Sequence, residues 1–332
     1  MRADEWFADL KALSHTFLDK YQTDDLSNDR NFRRVRIAIL DTGIAFRGTA
    51  SAPVPELIKE NIGRVKLGKA LDKSLPPHED TNGHGTHAAG LILQVCPYAN
   101  IYIYRVLRGE EPISHKLVTE ALIDAIDKKK VDIVSMSLGW NEDSDEDLRA
   151  VIDRAKTKNV LIFAATSNEG IRRGIAYPAR ADEVIAIDAA DVYGSPSKFN
   201  PPQGEKTQRF MVLGEAVRSA WPTSLNDDWN EEGWKRMSGT SFATPIAAAI
   251  AGLILEFSRQ RPLCFDKKVE NHLKSVAGMR EVFSKLFSLK TADSSHFKYL
   301  DPFQLFHCIS REEAGGEWYE NLSPRLHAVS LK

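Results

Sequence analysis

The chain has 332 residues, 42% of them hydrophobic, and a formal net charge of −2 at pH 7, enough for one large packed domain or two smaller ones. The charge balance offers no basic face for nucleic acid or an anionic membrane, and no run reaches the ~18 continuous apolar residues of a membrane span. Cys96, Cys264 and Cys308 are too few and too odd in number for a disulfide framework.

Residues Ala3 to Tyr21 carry Trp6, Phe7, Leu10, Leu13 and Phe17 on one helical face. Residues 1–30 therefore read as a helical extension that docks on the main body, or as an inhibitory or partner-binding segment, followed by a polar linker from Asp24. The start, Met1-Arg2-Ala3-Asp4-Glu5, lacks the apolar core of a signal peptide. The expectation is a cytoplasmic protein; the mature fragment of a secreted precursor would carry the same features. Val35 to Leu40 is a continuous apolar run, the pattern of a buried parallel strand. It ends in Asp41-Thr42-Gly43, and Asp41 lies at the strand end where open α/β sheets bind ligands. A single Asp-Thr-Gly does not make a monomeric aspartic peptidase, which needs two facing carboxylates.

Phe46 to Asp80 has loop character, with a short strand near Lys66 and Leu67. In Asn82-Gly83-His84-Gly85-Thr86-His87-Ala88-Ala89-Gly90, His84 opens a helix of small residues. An imidazole exchanges protons near neutral pH. His87 is three residues on, but no third metal-ligand pattern accompanies the pair, so His87 reads as structural. The run Leu91 to Pro97 is apolar and offers few oxygen ligands for calcium; Cys96 within it reads as a small core residue. Ile101 to Leu107 is a strand, followed by the loop Arg108-Gly109-Glu110-Glu111-Pro112. Lys116 to Lys129 is a helix. Val131 to Gly139 is a second buried strand, ending in Ser137-Leu138-Gly139.

The acidic stretch Asn141 to Asp147 caps a helix from Leu148 to Lys158. Val160 to Ala165 is a further strand, running into Thr166-Ser167-Asn168-Glu169-Gly170. Glu183 to Ala190 is another strand, Tyr193 to Gln208 a turn-rich exposed excursion, Phe210 to Trp221 a strand pair and Asn226 to Lys235 a polar loop. Met237-Ser238-Gly239-Thr240-Ser241-Phe242-Ala243-Thr244-Pro245 then leads into an uncharged helix, Ile246 to Leu255. Ser241 sits where a loop enters a helix, so amide N–H groups without intrahelical partners lie beside it and suit an oxyanion. Pro245 suits a first helical turn. Lys267 to Leu289 reads as one helix, Thr291 to Ser295 as a linker and Phe297 to Cys308 as a second apolar patch.

Asp41, His84 and Ser241, each within its motif and in that chain order, closely resemble the subtilisin-like serine peptidases, over roughly Val35 to Leu255. The resemblance implies an α/β fold, a mostly parallel central sheet with helices on both faces. It implies a catalytic region from 31 to 262; beyond it the match ends, and 263–332 reads from its apolar pattern as a helical extension that packs on the core or joins another domain. By the same resemblance Ser241 is the nucleophile of a serine endopeptidase, His84 its general base, Asp41 the residue that orients His84, and Asn168 an oxyanion-hole donor. Ser137, Leu138 and Gly139 would pair with the substrate main chain, with Ala165, Thr166 and Ser167 lining the primary pocket. Glu110 and Glu111 depart from the Gly-rich loop common there; they read as a solvated charged loop, or as a pair of which either one favours a basic side chain upstream of the scissile bond. The chemistry needs no cofactor, and the family's strong calcium site is in doubt. The implied partner is a protein or peptide substrate, with docking to or fusion with other domains left open. The competing readings are a catalytically idle scaffold on the same fold and a non-peptidase hydrolase using the same residues.

Overall fold

The continuous apolar runs become strands buried on both faces, because side chains alternate across a sheet. The computed structural model describes residues 2–18, 33–109, 112–142, 145–170, 174–202, 208–227, 231–259, 267–289 and 298–303. In chain order these form α1 (Ala3–Leu18), β1 (Arg36–Asp41), α2 (Glu56–Glu60), β2 (Val65–Leu67), α3 (His84–Val95), β3 (Asn100–Arg105), α4 (His115–Ile123), β4 (Ile133–Met136), α5 (Glu146–Thr157), β5 (Leu161–Ala165) and β6 (Val184–Ala190). Then follow β7 (Arg209–Leu213), β8 (Val217–Ala220), β9 (Trp234–Met237), α6 (Thr240–Ser258), α7 (Lys267–Leu273), α8 (Val276–Val282), β10 (Ser288–Leu289) and β11 (Lys298–Leu300).

Among the described residues one nine-stranded sheet runs β10-β11-β7-β6-β5-β4-β1-β3-β2. Its pairings are parallel except β10 with β11. Ile37, Ile39, Leu161, Phe163, Ile185 and Ile187 face α3 and α6 on one side. Ala38, Leu40, Val134, Met136 and Ile162 face α4 and α5 on the other. The expected α/β architecture is thus present. The sheet also recruits two strands from beyond residue 262, since β11 pairs directly with β7.

Three elements differ from the sequence reading. Phe210 to Trp221 is not a strand pair: β7 joins the main sheet, while β8 turns away and pairs antiparallel with β9. Trp234 and Lys235, read as the end of a loop, therefore lie in a strand. The stretch 267–289 is not one helix. Ser275 caps a new one by accepting the Gly278 amide at 3.0 Å, the competition with the helical backbone that serine offers. The 193–208 excursion buries Ser197 and Asn200, and the Asn200 amide pairs with both backbone groups of Ala189. Tyr193 at its tip is exposed.

Helix α6 is 19 residues long and apolar enough to cross a membrane by length and composition, although Thr, Ser and Glu side chains interrupt its apolar residues. It is buried inside the fold, against α3 and the strands β1, β4, β5, β6 and β7. Trp6, Phe7 and Leu10 of helix α1 are buried against α3, α6 and β8, and Asp4 pairs with Arg236 of β9. Trp6 also meets Phe303 edge-on at 5.8 Å, so segments from the two ends of the sequence touch.

The two edges of the parallel sheet have different chemistry. Where the strands begin, Asp132 accepts from Arg33 at 2.6 Å, Arg259 at 2.8 Å and the Arg36 amide at 3.0 Å, with Lys274 at 3.1 Å. Glu256 of α6 accepts from Arg34 at 2.6 Å and the Val35 amide at 2.9 Å. The opposite edge, where the strands end, brings together Asp41, Ser137 and the turn after Ala165. Ligands bind open α/β sheets at that edge.

Candidate active site

Asp41 is the last residue of β1 and is 1% exposed. Its Oδ1 accepts the Thr42 amide at 2.7 Å, and its two carboxylate oxygens face His84 Nδ1 at 2.8 and 3.0 Å. A carboxylate only accepts here, so Nδ1 carries a proton and Nε2 is left as the basic nitrogen. Burial works against the charged imidazolium, but the Asp41 charge and hydrogen bond, with a further contribution from Asp80, outweigh it and raise the His84 pKa. His84 opens α3 because Gly83 takes the left-handed N-cap position, φ +94°. A Cβ at Gly83 would come within 2.4 Å of the Trp221 ring.

The sequence reading passed over Asp80. This buried carboxylate accepts Thr42 Oγ1 at 2.9 Å, the Gly83 amide at 2.7 Å, and the Thr86 amide and hydroxyl at 2.8 and 2.6 Å. Thr42 Oγ1 in turn accepts the Gly85 amide at 2.9 Å. Asp80 thus ties the turn after Asp41 to the first turn of the His84 helix. Burial raises its pKa, with the Thr86, Gly83 and Thr42 donors opposing that shift. Asp80 lies three residues before Gly83, the N-cap of this helix, and so outside the position at which a sequence announces a capping acceptor.

His87 is buried, with Nε2 3.0 Å from the Lys235 carbonyl and its ring edge-on to Phe242 at 4.7 Å. Burial, opposed by its backbone hydrogen bonds, pushes its pKa down to about 3. It is a neutral packing residue, as its sequence context implied. Among the described residues, no group of three or more His, Cys, Asp or Glu side chains converges in a way that could hold a metal.

Ser241 is the second residue of α6, so its amide has no carbonyl one turn back within the helix. Its neighbour Phe242 lies against the His84 ring, with centroids 5.0 Å apart. Pro245 falls inside the helix rather than in its first turn, so the Ser241 carbonyl loses its i+4 partner. Ser137 Oγ replaces it, donating to that carbonyl at 2.7 Å. The Asn168 Oδ1 accepts the Thr240 amide at 2.8 Å and the Thr240 hydroxyl at 3.0 Å, which leaves the Asn168 NH2 group as donor. A Cβ on Gly239 would sit 3.1 Å from that nitrogen, so a side chain there would crowd the space in front of Ser241. The two donors that suit an oxyanion, the Ser241 amide and the Asn168 amide, therefore stand at one helix entrance.

Ser137, Leu138 and Gly139 continue from β4 beyond its last paired residue, Met136. Leu138 and Ala165 are buried, each 6% exposed. Gly139 lies tight against the segment opposite, since a Cβ there would come 2.8 Å from both Ala176 Cβ and the Tyr177 carbonyl. Trp140 exchanges backbone hydrogen bonds with Tyr177 at 2.8 and 2.7 Å and donates its indole N–H to Ile113. Ser167 Oγ accepts the Glu169 amide at 3.2 Å. Thr166 departs from the expectation of a pocket-lining contact. It is fully buried, its hydroxyl donates to Asp188 at 2.6 Å, its amide donates to the Ile187 carbonyl and its carbonyl accepts the Ala176 amide. Glu110 and Glu111, expected at the rim, lie outside the described residues.

The model of the subtilase family matches residues 33–284, which takes in every element of this site. The chain belongs to the subtilase family. It is 32% identical over 305 residues to the subtilisin-like protease het-Q2 of Podospora anserina, covering 78% of this chain and 81% of that protein. It is 32% identical over 229 residues to a thermostable alkaline protease of Halalkalibacterium halodurans, covering 66% of this chain and 56% of that enzyme. With subtilisin DY of Bacillus licheniformis the identity is 28% over 255 residues, covering 73% and 83% of the two chains. Two solved structures share the fold. The prenylagaramide maturation protease PagA has a TM-score of 0.62 at 24% identity, covering 84% of this chain and 96% of that one. A lanthipeptide protease has a TM-score of 0.67 at 17% identity, covering 89% and 94%. This subtilase is a serine-type peptidase, with protein or peptide as its substrate class.

Proposed function

We propose that this subtilase is an endopeptidase working through Asp41, His84 and Ser241. The observation that carries the reading is the pairing of His84 Nδ1 with both Asp41 oxygens, on a helix packed against the entrance of the Ser241 helix. Ser241 Oγ attacks the scissile carbonyl carbon while His84 Nε2 takes the hydroxyl proton. Asp41 fixes the tautomer and stabilises the imidazolium that forms. The tetrahedral oxyanion accepts hydrogen bonds from the Asn168 NH2 group and the Ser241 amide, a donor of this kind contributing about 2.7–4 kcal/mol. The carbon–nitrogen bond then breaks, and His84 returns its proton to the leaving amine. Water, deprotonated by the same imidazole, releases the acyl group. The substrate chain lies as an added strand beside Ser137–Gly139, where backbone hydrogen bonding gives affinity with little demand on sequence.

The test is hydrolysis of an unstructured protein such as casein, followed by sizing of the products. The wild-type chain should yield internal fragments, and Ser241→Ala and His84→Ala, each verified as folded, should yield none. Equal fragmentation by Ser241→Ala would refute the reading.

A further inference from the structure

A buried ion pair that the mechanism does not use lies directly behind the turn that carries Asn168. Asp188, in the middle of β6, has no solvent exposure. Its Oδ2 is 3.3 Å from Arg209 Nε, at the start of β7, and its Oδ1 accepts the Thr166 hydroxyl at 2.6 Å. Arg209 is held in turn by the carbonyls of Pro201 and Pro202 at 3.2 and 3.3 Å. Thr166 is the residue after β5, two before Asn168, and its carbonyl accepts the Ala176 amide at 2.8 Å. Ala176 precedes Tyr177, which is bridged to Trp140 beside Gly139. An apolar residue at 188 would suit this strand, whose other residues are Val, Ile and Ala. A buried charge with one cation and one hydroxyl is costly to keep, so its presence calls for a specific role.

We propose that Asp188 is a positioning residue of this peptidase: through Thr166 it holds the turn carrying Asn168, and the Ala176–Tyr177 segment bonded to it, in the geometry the reaction needs. The proposal rests on the peptidase reading for its catalytic consequence, but not for the wiring itself. Among the described residues, the groups that bond or pair with Asp188 are Arg209 from β7 and the Thr166 hydroxyl from the end of β5. Burial pushes its pKa up to about 6, with Arg209 and Thr166 acting in the opposite direction. Above that pH the carboxylate is charged, attracts Arg209 and accepts strongly from Thr166. Below it the carboxyl is neutral, the pull on Arg209 is lost and the hold on Thr166 weakens.

Two readouts on the full chain test this, with Asp188→Asn, Thr166→Val and Thr166→Ser beside wild type. The first is amide hydrogen exchange corrected for intrinsic rate, which needs no activity. Residues 164–170 should exchange about tenfold faster in Asp188→Asn at pH 7.5, while β1 and β4 keep their protection. Wild type should show the same loosening between pH 7.5 and 5, and Asp188→Asn should show no such step. The second is the rate of labelling by a fluorophosphonate. It should fall about tenfold in Asp188→Asn and Thr166→Val, and less in Thr166→Ser, which keeps the hydroxyl. The pH profile of Asp188→Asn should also lack an inflection near 6 that wild type has. Unchanged exchange at 164–170 in Asp188→Asn would overturn the proposal, as would loosening spread equally over the sheet or loosening without any change in labelling rate. A wild type that exchanges as expected but is never labelled would remove the peptidase reading and support the wiring.

Discussion

Two buried carboxylate centres sit at opposite edges of the sheet and are built in opposite ways. At the edge where strands begin, Asp132 is surrounded by the cations Arg33, Arg259 and Lys274. Burial alone would raise its pKa, but Arg259 foremost, with Arg33 and Lys274, brings it down to about 2. At the edge where strands end, the groups bonded to Asp80 are neutral hydroxyls and amides, and Asp41 bonds the Thr42 amide and His84. The first centre cancels its charge locally and joins β1, β4, α6 and α7. The second sets its negative charge beside one imidazole, where it favours the proton that His84 must accept. The lesson is that a buried carboxylate is read by its donors: cations mark a staple, while neutral donors beside a histidine mark a group whose charge is available for chemistry.

The contrast can be broken from either side. The largest effect is expected for His84→Ala, about a millionfold loss of kcat, measured on a chromogenic peptide. Asn168→Ala should cost about 10²–10³-fold in kcat with a smaller change in KM, read from the same assay. Asp132→Asn should destabilise the fold by about 3 kcal/mol at pH 7, measured by urea unfolding, while the folded fraction keeps its turnover. Because Asp132 is depressed in the fold, the stability it contributes is present above the unfolded value of ~3.9 and is lost as pH falls through about 2. The gap between wild type and Asp132→Asn should therefore close in acid. The smallest and most diagnostic effect is that of Asp80→Asn on pH dependence. His84 must be neutral to act as base, and its pKa lies above the ordinary ~6.5, so wild-type kcat/KM should fall as pH drops through a value above that. Removing the Asp80 charge should move this acid limb to lower pH. An unmoved limb would show that Asp80 acts on packing alone.

The sheet and the motif residues were legible because their signals are local. Unbroken apolar runs such as Val35–Leu40 fit a strand covered on both faces, and Gly83 and Gly239 announce backbone that a side chain would obstruct. What stayed hidden depends on partners far away in sequence. Nothing near Pro245 says that Ser137, 104 residues from Ser241, supplies the hydrogen bond the proline removes. Thr166 sits in a motif suggestive of a pocket wall, and only the position of Asp188 on β6, 22 residues on, turns its hydroxyl inward. Strands β7 and β8 are separated by three residues and look like a hairpin, yet β7 finds β6 and β11 while β8 finds β9. Asp80 was missed because a carboxylate that bonds only backbone and hydroxyl donors leaves no charge pattern in the sequence.

The central claim, that Ser241 is a nucleophile activated by His84 under the influence of Asp41, is tested most directly by fluorophosphonate labelling followed by peptide mapping. The expected result is one phosphonyl group per chain on Ser241, a rate that rises with pH as His84 deprotonates, and no labelling of folded His84→Ala or Ser241→Ala. Labelling on another residue, or equal labelling of His84→Ala, would contradict it.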